Sequence, residues 1–196
     1  MTQEEMIKAS SDPEFLKYLE IREKDVLETK SISGLYEVLD MLLILDLEEK
    51  RINKVYELIL TVAFEQIEKR LQSQIKLKLD DNDSNDKFYI RAFYEHSIEK
   101  WSRDDAKGAK ELFFVLSQII DDEKLHEAIN IKLLACNNGV DMEEFYETKI
   151  LHKESVEDEK YGYFLVDFTF DTKAYLDENT TKLQEIYEEL KSLIKV

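Results

Sequence analysis

Residues 88–122 read FYIRAFYEHSIEKWSRDDAKGAKELFFVLSQIIDD, and this stretch decides the fold. Tyr89, Ala92, Phe93, Ser97 and Trp101 recur at the three- and four-residue steps of one helical face. Ala109, Leu112, Phe113, Leu116, Ile119 and Ile120 do so again, in a stripe too wide for one shallow contact. Between them Ser102-Arg103-Asp104-Asp105 is polar, and Asp104 or Asp105 is placed to cap the second helix. Ala92, Ser97, Ala106, Gly108 and Ala109 are small enough to bring the two helices close. The spacing predicts a helical hairpin, and with it a mainly α protein of stacked hairpins.

Toward the N-terminus the same signals repeat. Residues 1–11 read as a frayed end. Asp12-Pro13-Glu14 starts a helix: Asp caps, Pro fits the first helical position, and Glu suits the positive helix end. Its apolar stripe runs to about Thr29, where Ser31-Ile32-Ser33-Gly34 breaks the pattern. Leu35 to Leu47 is apolar on two faces, as expected of a central core helix. Asp46-Leu47-Glu48-Glu49 has the spacing of a capping box, and the helix behind it carries Val55, Ile59, Val62, Ala63, Ile67 and Leu71. Ile75, Leu77 and Leu79 fit a strand period and a helical one equally, so their state stays open. Residues 80–86 form an acidic loop that lacks the glycine and closing glutamate of a calcium loop.

Toward the C-terminus, Asp121-Asp122-Glu123 opens a further helix, Asn137-Asn138-Gly139 ends it, and Asp141-Met142-Glu143-Glu144 opens another. These two are expected to stack on the first hairpin as a second one. The first domain is read as 1–152, with 153–196 holding a charged linker, a short β element near 163–171 and a C-terminal helix packed on the same domain. In the β element, Phe164, Val166, Phe168 and Phe170 alternate with Leu165, Asp167, Thr169 and Asp171. Ile75 to Leu79 is the intrachain segment able to pair with it. The total expected is about six to eight helices.

The chain has 196 residues, a net charge of −17, four Gly, one Pro and one Cys. So acidic a chain is repelled by phosphate backbones and anionic membrane surfaces, which argues against nucleic-acid binding. It favours partners that present a basic or extended segment. The single Cys136 allows no internal disulfide, and its apolar neighbours describe a buried thiol. Without a signal-like start or an apolar run long enough to cross a bilayer, no membrane insertion is expected and the location is read as cytoplasmic.

The hairpin at 88–122 resembles the tetratricopeptide repeat, a helix-turn-helix unit with large, small and aromatic residues at fixed offsets. Ala109 matches the small residue opening the second helix, Phe113 its aromatic position, and Phe93 and Ser97 the large and small positions of the first. His96, Lys100 and Asp121 depart from the usual Leu, Tyr and Pro, and no neighbouring repeat follows in register. The resemblance implies a concave face that takes an extended peptide, lined by Tyr89, Phe93, His96, Lys100 and Lys132; for Phe93 a core position is the preferred reading.

Enzymatic signals are sparse. Glu123 and His126 make one Glu-x-x-His step of the kind used by carboxylate metal proteins, but no second step accompanies it. No Gly-rich loop follows a strand, and three scattered histidines form no motif, so no cofactor is expected. The expectation is a non-enzymatic adaptor or chaperone-like protein. A Glu123/His126 metal enzyme and a homo-oligomer (a homodimer included) pairing through the Phe-rich segment are the alternatives.

Overall fold

The structure, a computed structural model, describes residues 12–79, 85–151 and 160–194. The N-terminal stretch, most of the acidic loop and most of the charged linker lie outside them. The chain divides into two compact units, residues 1–65 and 66–196.

The first unit holds α1 (Pro13–Thr29), α2 (Ile32–Ile44) and the larger part of α3 (Glu49–Ser73). Asp12 caps α1 by accepting the Glu14 amide, with Pro13 at the first position as expected. The break at 31–34 is shorter than its composition suggests. Ser31 caps α2 directly, and Gly34 lies within the helix. A Cβ on Gly34 would stand 2.8 Å from the Val26 side chain, so glycine here permits α1 and α2 to touch. Leu35, Val38, Leu39 and Leu42 are buried, as a core helix requires. Asp46 does not cap α3: it takes the left-handed conformation (φ 49°) at the exit of α2. Arg51 on α3 reaches Glu23 on α1 at 2.6 Å, and Arg22 reaches Glu37 on α2 at 2.9 Å.

The second unit contains the last turns of α3, then α4 (Asp86–Ser102), α5 (Ala106–Ile119), α6 (Glu123–Asn137), α7 (Met142–Lys149), α8 (Thr172–Glu178), α9 (Thr180–Leu190) and a closing 3-10 turn, Lys191–Ile194. Asp105, Asp122, Asp141 and Asp171 each cap the helix that follows. Gly139 ends α6 at φ 67°, a conformation that glycine adopts without a Cβ penalty. The α4–α5 hairpin packs closely, and α5 packs equally closely on α6. In turn α7 lies against α4, while α8 and α9 lie against α6. Ala92, Ser97, Ala109 and Phe113 are buried at the hairpin, where Trp101 meets Phe113 edge-on at 6.2 Å and Phe145 at 5.0 Å.

Among the described residues no strand forms. Residues 164–168 are extended, and Phe164, Val166 and Phe168 are buried, so the alternation read from the sequence is real. Their partner is not Ile75–Leu79. Phe168 makes one antiparallel bridge with Ile150, while Leu77 makes a parallel bridge with Ile120. A one-residue bridge suffices because helix side chains take over the pairing of this backbone.

Candidate functional site

Helix α4 carries four of the residues expected at a partner face. At 100° per residue, positions 89, 93, 96 and 100 fall within a narrow arc. Tyr89, His96 and Lys100 are half-buried there. His96 Nδ1 lies 3.0 Å from Glu99, and Lys100 Nζ donates to Asp105 at 2.8 Å, closing the hairpin turn. Burial raises the pKa of the Tyr89 hydroxyl. Phe93 is only 2% exposed and belongs to the core.

Lys132 does not join this face. It is 0% exposed. Every residue of α6 from 128 to 136 is buried, because α5, α8 and α9 and the extended segment pack around that helix. Lys132 Nζ donates to the Leu165 carbonyl at 2.5 Å and more weakly to the Ala128 carbonyl at 3.4 Å. It also lies over the rings of Tyr94 and Phe168, 5.5 and 5.1 Å from their centroids. Burial lowers its pKa to about 7 and raises that of the neighbouring Cys136 thiol to about 12.

Tyr94, which the sequence reading did not single out, completes the arrangement. Its hydroxyl oxygen accepts the Leu165 N–H at 3.0 Å, and its ring meets Phe164 edge-on at 5.2 Å. Both backbone groups of Leu165 are thus satisfied by side chains, one from α4 and one from α6. Side-chain contacts and a backbone bond hold the rest of the segment. Tyr161 and Lys160 donate to Asp122 at 3.1 and 2.8 Å, and Tyr163 lies under the Arg91 guanidinium at 4.0 Å. Lys124 pairs with Asp167 at 3.0 Å, and the Asp167 carbonyl accepts the Leu151 N–H at 2.9 Å. A signal for Tyr94 was present: an aromatic hydroxyl in a core helix requires a polar partner nearby.

Glu123 and His126 are placed differently. Glu123 is exposed at the start of α6. His126 is half-buried beside the Asn130 amide, 3.3 Å away, and burial followed by the Lys76 charge lowers its pKa. Asn130 accepts the Tyr187 hydroxyl at 2.7 Å and so ties α6 to α9. Among the described residues no three His, Cys, Asp or Glu side chains converge as a metal site.

Compared with protein-family models, with curated proteins and with solved structures, the chain matches none. Among the described residues no helix is long and apolar enough to cross a membrane.

Proposed function

We propose that this chain is a non-enzymatic protein-binding module, of the adaptor or chaperone type, that receives an extended segment of a partner protein on its helical hairpins. The observation that carries the reading is the treatment of residues 164–168. The α4–α6 stack grips this extended stretch through both backbone groups of Leu165 and buries Phe164, Val166 and Phe168 in succession. Main-chain bonds for affinity and sites for alternate side chains are how an extended peptide is recognised at a sheet edge, and here helices supply both to the chain's own segment. The segment covers the Arg91 and Tyr94 side of α4. Tyr89, His96 and Lys100 lie across the helix from it, half-exposed, and form the face offered to the partner. The spacing shared with tetratricopeptide hairpins supports the same reading, and the chain's −17 charge favours a partner with basic residues.

The homo-oligomer reading has less support, since Phe164, Val166 and Phe168 are already buried against their own chain. The test is affinity capture from native lysate with the full chain, comparing wild type with the Tyr89→Ala/Lys100→Glu double variant. One stoichiometric partner, lost from a variant whose circular dichroism is unchanged, supports the proposal. Equal recovery by both proteins, or capture of nothing by either, overturns it.

A further inference from the structure

A second feature of the 66–196 unit is a cavity of about 230 Å³ between the end of α3, the connector that follows, the end of α5 and the closing 3-10 turn. Its lining divides cleanly. Leu71, Ile75, Ile119 and Ile194 are apolar, whereas Arg70, Gln74, Lys76 and Gln118 are polar. Among the described residues no carboxylate lines it, although the chain has 44 acidic residues against 27 Lys and Arg. Among the described residues the charged side chains that line it are Arg70 and Lys76, both cationic.

The backbone that carries the donors is held in place, and the donors are largely unspent. Arg70 commits one terminal nitrogen to Asp86 at 2.8 Å. Lys76 has no hydrogen bond or ion pair among the described residues, nor has the Gln74 side-chain amide. The connector that carries them is fixed at both ends. Gln74 adopts the left-handed conformation (φ 55°), and the Ile75 N–H returns to the Arg70 carbonyl at 3.2 Å. Leu77 donates to the Ile119 carbonyl at 2.7 Å, and the Lys78 amide donates to Asp86 at 3.1 Å. Two helix C-termini end nearby, each with a partial negative charge of about one half. Together with Asp86 these helix ends offset the two cations, so the preference for an anion rests on direct donation from the Lys76 ammonium and the uncommitted Arg70 N–H groups, not on net charge.

Size sets the rest of the ligand. At about 30 Å³ per water, the cavity takes the volume of roughly eight waters, hence a ligand of roughly eight heavy atoms. We propose that it binds a small monocarboxylate with an unbranched apolar tail, its carboxylate on Lys76 and Arg70 and its tail against Ile75, Ile119 and Ile194. This site is independent of the partner face on α4.

The test is titration of the full, ¹⁵N-labelled chain with hexanoate, followed by amide shifts. Hexan-1-ol and hexylamine serve as neutral and cationic controls of equal length. Hexanoate should shift the Gln74–Lys76 and Ile119 amides saturably, with a Kd on the order of 0.1 mM for so small a ligand. Lys76→Gln should weaken it about tenfold, and Lys76→Arg should restore it. Lys76 is exposed, so both variants should keep the parent spectrum elsewhere. Three results would each overturn the proposal: no saturable shift with hexanoate, equal or tighter binding of either control, or an unchanged Kd in Lys76→Gln.

Discussion

Lys132→Met is the most informative single change. It replaces a buried ammonium by an apolar chain of similar length. In the folded chain burial brings the Lys132 pKa from 10.5 to about 7. Carrying that charge in the core at low pH therefore costs about 5 kcal/mol relative to the neutral amine. The sign of the pH effect follows from proton counts. Between pH 7 and pH 9 an unfolded chain keeps Lys132 protonated, whereas the native chain sheds the proton. The unfolded state then binds more protons, so native stability rises with pH, by up to about 1.4 kcal/mol per unit and about 2 kcal/mol over the interval, since the native lysine is already half-deprotonated at pH 7.

The assay is urea unfolding of wild type and Lys132→Met at pH 6, 7, 8 and 9, followed by fluorescence. Trp101 is the only tryptophan and lies in the same unit as Lys132, so the signal reports the right region. Taking the difference between the two proteins cancels every other titration. Stopping at pH 9 limits the contribution of Cys136, which has an ordinary value of 9.0 and is raised to about 12 by burial. Wild type should gain on the variant as pH rises from 7 to 9 and hold level below pH 7. The Leu165 carbonyl and the two ring faces work the other way, since each favours the ammonium. A flat difference would mean that they replace water fully and that the native lysine stays charged, which would refute the reasoning.

Tyr94→Phe removes the acceptor for the Leu165 N–H and should cost about 1–2 kcal/mol, with Leu165 amide exchange accelerating more than exchange at Phe113 on α5; uniform acceleration would count against a local clamp. Asp86→Ala leaves Arg70 and the Lys78 amide without their shared acceptor at a site 4% exposed. Its expected cost is about 3 kcal/mol in thermal or urea unfolding, and a loss under ~1 kcal/mol would show the pair to be dispensable. For Asp122, burial alone would raise the pKa, but Lys160, the Leu125 amide and the Tyr161 hydroxyl outweigh it and hold the group below 3.8. Its stabilisation is present above that value and lost as pH falls through the folded pKa, so the deficit of Asp122→Asn, about 1 kcal/mol at neutral pH, should close on acidification.

Much of the fold was legible because helix ends are local events. Asp12, Asp105, Asp122 and Asp141 cap the helices that their spacing announced, since a cap needs only its own next three residues. Asp46 misled because the turn leaving α2 uses an aspartate in the left-handed region instead. Pairing across the chain was not legible. Leu77 could have faced Phe168 on sequence pattern alone, and only the packing of α5 on α6 brings Ile120 to it. At the candidate site, Tyr89, His96 and Lys100 lie on one face of α4, while Lys132, which the tetratricopeptide resemblance implied for the same groove, is fully buried. The run Ala128–Cys136 held a contrary signal. It contains no other charge, and a helix apolar all round is buried, with its lone lysine included.

That lysine is part of the reason the extended residues 164–168 need no sheet. A strand normally needs another strand because each residue brings an N–H and a C=O that must be paired when buried. At Leu165 the two groups are paired by Tyr94 and Lys132, on helices that meet only after α4, α5 and α6 have packed. The alternating pattern of Phe164, Val166 and Phe168 therefore encodes burial against helices, not membership of a sheet. The buried amine supplies the donor that the Leu165 carbonyl would otherwise lack, while the backbone of residues 149–151 serves Asp167 and Thr169.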